Sequence, residues 1–211
     1  MSVARNAAAP PARRAVSRLL VTLAAKPPRV PANQVMLIHG DWEMYRELDA
    51  QLSGNGVSVT YFQGVIEIMS TSPLHELIKS NIARLVDAYC LHHEIVFSPR
   101  GAPTHKKKDD RGGEPDESYV FERGRSLPQL VIEVAITSGG LDKLAFWAGW
   151  PIEEVWIWKR GRIHFHRWQE TKYVEQKGST LVPGLKAAWI ERFAESDCAF
   201  DMLREFKALL K

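Results

Sequence analysis

The sequence of 211 residues predicts an α/β domain, a mixed central sheet flanked by helices. Three observations carry that expectation. Residues 57–62 and 65–69 alternate or cluster β-branched and aromatic side chains around the two-residue turn Gln63-Gly64, which reads as a β-hairpin. Leu74, Leu77, Ile78, Ile82, Leu85, Val86 and Tyr89 then recur at helical spacing, so this helix presents one apolar stripe to a sheet. Residues 129–136 are apolar at nearly every position, as a strand covered on both faces should be.

The remaining elements follow in order. Residues 1–33, rich in Ala, Pro and Arg, are expected to be a poorly ordered basic extension to a domain spanning 34–211. Arg13, Arg14 and the apolar run 19–25 faintly resemble a signal peptide. The run is short, however, and Lys26-Pro27-Pro28 follows without a persuasive cleavage site. Ordered structure is expected to begin near Met36. Residues 41–52 place Trp42, Tyr45, Leu48 and Leu52 at helical spacing before Gly54-Asn55-Gly56 stops them. After the hairpin, Ser72 offers an N-cap and Pro73 the first helical position. A short strand is expected over 94–97 and a polar loop with Lys106-Lys107-Lys108 over 99–113. Strands follow over 116–121 and 129–136. Beyond Thr137-Ser138-Gly139-Gly140 a helix is expected over 141–148. A second hairpin joins 154–159 to 162–168 across Arg160-Gly161, 171–176 adds a strand, and 196–210 closes the chain as an amphipathic helix.

Composition narrows the function classes. No stretch approaches the roughly 18 apolar residues of a membrane span, so no membrane partner is expected. The net charge of +3 does not by itself mark a nucleic-acid binder. Arg5, Arg13, Arg14, Arg18, Lys26 and Arg29 precede the first acid, Asp41, which leaves the rest of the chain at −3. A mildly acidic body is compatible with a nuclease, because divalent ions offset a carboxylate cluster where phosphate binds. Cys90 and Cys198 form no CxxC pair, which argues against a disulfide framework or zinc-cysteine site and fits a reducing cytoplasm. Cys90 lies on the apolar side of the long helix and reads as packing.

Acids on strands are costly unless they serve something. Glu133 shares a strand face with Val131 and Ala135 in the most apolar strand of the chain. It reads either as a buried ion pair or as a functional carboxylate. Asp116 follows Pro115 at a strand start, where it is either a turn aspartate or a residue reaching a metal. Glu67 faces away from Ile66 and Ile68, which fits a solvated hairpin face. Lys143, early in the helix after the Gly-rich turn, fits a helix-surface lysine. Together, two carboxylates on adjacent strands can hold Mg²⁺ through few protein oxygens. A neighbouring lysine can orient or deprotonate water and neutralise phosphate charge, parts sufficient for metal-assisted hydrolysis.

Four segments in order carry a family resemblance: Glu114-Pro115-Asp116; Pro128-Gln129-Leu130-Val131-Ile132-Glu133-Val134; Thr137-Ser138-Gly139-Gly140-Leu141-Asp142-Lys143-Leu144; and Ile152-Glu153-Glu154-Val155-Trp156-Ile157-Trp158. With the upstream run 60–76, they resemble the Uma-two family of bacterial restriction endonucleases in the PD-(D/E)XK nuclease superfamily. The resemblance runs from about Val35 to about Leu210. It implies a restriction-endonuclease-like fold, with Asp116 and Glu133 as metal ligands, Lys143 as the catalytic lysine and Glu67 as an additional catalytic acid. Mg²⁺ is the implied cofactor, with Mn²⁺ as a substitute; DNA is the implied partner, and a homodimer is compatible with cutting both strands. The superfamily's lysine commonly lies two residues after the strand glutamate, where this chain has Ala135. Lys143 fits the family's displaced position in the following helix. Gln129 stands where the family usually shows Asp.

The expected activity is Mg²⁺-dependent hydrolysis of DNA phosphodiesters. The rival is a catalytically silent module that binds nucleic acid or protein on the same fold, and a third reading is a phosphodiesterase for small nucleotides. Among other candidates, His75 reads as a helix-end histidine or a contact near Glu67. His92 and His93 end a helix, where cations complement the dipole. His164 and His166 share a strand face without an evident third metal ligand. Lys106–108 reads as a solvated run, and Trp156 and Trp158 as packing.

Overall fold

The computed structural model describes residues 33–54, 56–136 and 140–211. The expected extension at 1–33, but for Asn33, and most of the Thr137-Ser138-Gly139-Gly140 turn lie outside the described residues.

Among the described residues the strands are β1 (Val35–His39), β2 (Val57–Phe62), β3 (Val65–Ser70), β4 (Ser98–Pro99), β5 (His105–Lys107), β6 (Arg111–Gly113), β7 (Glu117–Val120), β8 (Leu130–Ala135), β9 (Glu154–Lys159), β10 (Arg162–Gln169) and β11 (Lys172–Gln176). The helices are α1 (Trp42–Leu52), α2 (Pro73–His92), α3 (Lys143–Trp147), α4 (Ala187–Phe193) and α5 (Ala199–Leu209). None is long and apolar enough to cross a membrane.

The predicted mixed sheet is the six-stranded one, in order β11-β10-β9-β8-β7-β4. Among the described residues its only parallel pair is β8 with β9. The 57–69 hairpin belongs instead to a second, antiparallel sheet in order β1-β3-β2-β6-β5. Both hairpin turns adopt the geometry their residues predict. Gln63 and Gly64 have φ of 48° and 88°, and Arg160 and Gly161 of 52° and 76°. Two successive positive φ values match the right-handed twist of paired strands and favour glycine second.

Helix ends follow local chemistry. Asp41 accepts from the Met44 N–H at 2.9 Å, and Ser72 from the His75 N–H at 3.1 Å, each satisfying an orphan donor of the first turn. Pro73 starts α2. One face of β8, with Ile132 and Val134, packs under α2 through Ile78, Ile82, Leu85 and Val86, joined by Trp156 and Trp158. The opposite face, with Val131, meets Phe146 and Trp147 of α3. A third cluster seats Trp42, Tyr45 and Leu48 on Val59, Tyr61 and Ile66 of the second sheet.

Several boundaries move. Residues 94–97 form no strand; pairing starts at Ser98, which faces Val120. The expected polar loop over 99–113 contains β5 and β6, which extend the second sheet through pairing to β2. The helix expected over 141–148 is only α3, because Asp142 Oδ1 accepts from Leu144 and Ala145 N–H groups and caps it there. The closing helix starts at Ala199, and α4 is additional.

Candidate active site

The site forms where α3 covers one face of β8 and reaches the second sheet. Glu133 alternates with Ile132 and Val134, so its side chain stands on the α3 side. It is 4% exposed. The indole Nε1–H of Trp147 donates to Glu133 Oε1 at 2.7 Å. Lys143 lies four residues earlier, on the same helical face, and its Nζ is 3.5 Å from Glu133 Oε2.

Glu67 arrives from β3. The solvated face expected for it is not found: the residue is 2% exposed. The chain at Gly140 and Leu141 covers it, and the Leu141 N–H donates to Glu67 Oε2 at 2.7 Å. A Cβ at Gly140 would collide with that carboxylate, so glycine allows the close approach. Lys143 Nζ is also 3.3 Å from Glu67 Oε1. The surface lysine expected there therefore bridges two buried glutamates from different sheets. Glu67 Oε1 is buried, and among the described residues Lys143 is its polar neighbour.

Asp116 sits just before β7. Glu117 pairs with Ile132, so extending the register by one residue sets Asp116 opposite Glu133. Its Oδ2 accepts from the Val134 N–H at 2.7 Å and lies 3.3 Å from His75 Nε2. His75 is 3% exposed; it meets Asp116, with Nδ1 3.3 Å from Glu76 Oε1, and not Glu67. The four predicted residues thus converge, Glu67 and Glu133 around Lys143 and Asp116 just before the neighbouring strand.

Electrostatics follow from burial and company. Burial pushes the Glu133 carboxyl up to about 7; the Lys143 ammonium opposes that, while Asp116 and Glu67 reinforce it. Burial disfavours charge on Lys143, but Glu133, Glu67 and Asp116 together outweigh it and hold its pKa above the ordinary lysine value. Lys143 is therefore an ammonium at neutral pH. Burial would raise Asp116, yet the His75 imidazole, the Val134 N–H and Lys143 hold it below the usual aspartate value. Burial lowers the His75 pKa, but Asp116 and Glu76 raise it more.

A cleft of about 120 Å³ opens over this cluster, lined by Glu67, Glu133, Lys143, Val35, Ala135 and Lys159 among others. Asp116 flanks the cleft and is not in its lining. Among the described residues no group of three or more His, Cys, Asp or Glu side chains could hold a metal by itself. The available set is the opposed Asp116 and Glu133 carboxylates, with Glu67 on the other side of Lys143. That set fits Mg²⁺, which takes one or two carboxylates and completes its shell with water and phosphate.

Other sequence candidates settle into structural roles. His164 Nδ1 lies 2.8 Å from Glu175 Oε1. Trp156 and Trp158 are core residues. Cys90 is buried in that core, and Cys198 is exposed; both are free. Lys106, expected to be solvated, pairs with Asp49 at 2.8 Å. Gln129 accepts from the Phe121 and Glu122 N–H groups, donates to the Glu122 and Glu153 carboxylates and closes the loop before β8. Sequence reasoning missed Trp147, although its four-residue spacing from Lys143 was a usable signal. It also missed Arg111, whose guanidinium donates to the Ala145 and Phe146 carbonyls at 2.9 and 2.7 Å and anchors the end of α3.

No curated protein matches the sequence. A solved structure described as a "putative nuclease" from Anabaena variabilis is 13% identical, covering 70% of this chain and 90% of that one with a TM-score of 0.45. The family model Uma2, described as "Putative restriction endonuclease", matches residues 42–190, most of the sequence, and the chain belongs to that family.

Proposed function

We propose that the chain is an endonuclease that hydrolyses DNA phosphodiester bonds with Mg²⁺, or Mn²⁺ as a substitute. The observation that carries the reading is Lys143, held as an ammonium between buried Glu67 and Glu133 at the floor of an open cleft. Burying two carboxylates and a lysine together is costly, and such groups gather where chemistry needs them. Membership of a family described as restriction endonucleases supports the reaction class.

Asp116 and Glu133 would hold the ion. When bound, it polarises the phosphoryl oxygen and lowers the pKa of water beside it. The protein's own groups do the rest. Trp147 fixes one Glu133 oxygen, leaving Oε2 directed to the Lys143 side. The Val134 N–H fixes Asp116, and His75 lies against the same oxygen. Lys143, an ammonium in the metal-free protein, is a donor that can orient the attacking water and neutralise charge growing on the phosphate. Glu67 holds Lys143 through Oε1 and the Leu141 N–H through Oε2.

A silent binding module on the same fold is the second reading, favoured by one observation: Lys143 already pairs with both glutamates without a metal. Incubating the protein with supercoiled plasmid, labelled duplex and a small phosphodiester, each with Mg²⁺ or with chelator, separates the readings. Nicking of DNA only with Mg²⁺ supports the endonuclease. DNA binding with no turnover and no calorimetric Mg²⁺ signal supports the module, and turnover of the small ester unaffected by competing duplex supports a small-nucleotide phosphodiesterase.

A further inference from the structure

Lys159, the last residue of β9, pairs in parallel register with Ala135 of β8, two residues beyond Glu133. Side chains of paired residues stand on the same face, so Lys159 rises from the face that carries Glu133. Its Cα lies about 8 Å from that of Glu133, from a strand spacing of about 4.8 Å and two residues of about 3.3 Å. A lysine side chain covers most of that span, and Lys159 lines the cleft. The Ala135 methyl beside it leaves the space open.

Its electrostatic situation is the reverse of that of Lys143. Lys143 is only 18% exposed and committed to two glutamates. Lys159 is exposed, and among the described residues it makes no ion pair or side-chain hydrogen bond. The Lys143 charge is already engaged by Glu67 and Glu133, so an incoming phosphodiester anion gains most from a cation that no carboxylate holds. Among the described residues Lys159 is the uncommitted cation in the cleft lining.

Building on the nuclease reading, we propose that Lys159 is the phosphate-binding residue of the cleft, its ammonium contacting a backbone phosphate of the nucleic acid bound over Glu133. The contact anchors the substrate strand before reaction and adds a counterion-releasing site to binding.

The test is the salt dependence of duplex binding, read by fluorescence anisotropy in Ca²⁺. Wild type is compared with Lys159→Ala, Lys159→Arg and Lys207→Ala, the last a control on the exposed face of α5. Loss of one phosphate contact lowers the slope of log K against log salt by about 0.9 and weakens binding roughly tenfold near 0.1 M salt. Lys159→Ala should show both changes, Lys159→Arg should restore the slope, and Lys207→Ala should match wild type. A wild type that binds and cleaves DNA beside a Lys159→Ala variant with unchanged slope overturns this assignment alone. So does slower cleavage by that variant with an unchanged slope, which would put Lys159 in the chemistry and not in substrate binding. A wild type that neither binds nor cleaves nucleic acid overturns the nuclease reading, and this assignment with it.

Discussion

Trp147 donates its indole N–H to Oε1 of Glu133 at 2.7 Å inside the protein, with the tryptophan fully buried and the glutamate nearly so. The indole has one donor and no acceptor, so this bond fixes which carboxylate oxygen faces inward. The other oxygen, Oε2, is left to Lys143. A carboxylate in the most apolar strand is thereby held in one orientation before any ion or substrate arrives.

Replacing that donor should be felt in both stability and rate. Trp147→Phe keeps most of the apolar volume but strands a buried carboxylate oxygen, which costs about 1–3 kcal/mol. Thermal unfolding should drop by several degrees, and Mg²⁺-dependent cleavage should slow although Asp116 and Lys143 are intact. Unchanged Tm and rate would mean that the bond has no orienting role.

Glu133 makes the metal-free protein sensitive to pH. Its carboxyl is pushed from 4.5 to about 7 by burial, so between those values the folded state keeps a proton that the unfolded chain has released. Stability from this group therefore falls as pH rises from about 4.5 through 7 and stays low above it. Glu133→Gln, which mimics the neutral acid, should unfold at a higher temperature than wild type at pH 8, with the difference shrinking toward pH 5. A variant less stable than wild type at pH 8 would contradict the assignment.

The same proton competes with the ion. A carboxyl must be ionised to ligate Mg²⁺, so divalent affinity should rise as pH passes through about 7 and then flatten. Isothermal titration with Mn²⁺ at pH 6, 7 and 8 reads this directly. Affinity independent of pH over that range would place the ion away from Glu133.

Lys143 should matter to folding as well as to activity. Lys143→Met leaves Glu67 and Glu133 facing each other without a cation, and removing one partner of a buried ion cluster costs about 3–5 kcal/mol. The triple variant Glu67→Gln, Glu133→Gln, Lys143→Met should recover much of that loss in denaturant unfolding. A triple variant as unstable as the single one would show that the lysine contributes through packing, not charge.

How much was legible in sequence depended on how local each cause is. The hairpin at Gln63-Gly64, the Ser72-Pro73 start of α2 and the doubly covered β8 are set by neighbouring residues, and they form as read. The short strands β5 and β6 are not, because nothing in Lys106-Lys107-Lys108 or Gly112-Gly113 encodes pairing with Tyr61 and Phe62. The burial of Glu67 depends on Leu141, 74 residues away, which is why period-two alternation pointed to solvent. Glu133 and Asp116 are legible because acids in or beside strands demand an explanation. Lys143 is legible through the family pattern, and the spatial meaning of its position emerges only when α3 folds over both sheets. His75, seen as a helix-end residue, needed β7 beside it before its contact with Asp116 could exist.

The most direct measurement is the cleavage rate of supercoiled plasmid by wild type and Glu133→Ala, side by side with Mg²⁺, after both are shown folded by thermal unfolding. Wild type should nick and linearise the plasmid only when the ion is present, and the variant should lose at least about a hundredfold in rate, the scale of losing a group that stabilises the transition state. Equal cleavage by the two proteins would contradict the assignment of the site to Glu133 and the residues gathered around it.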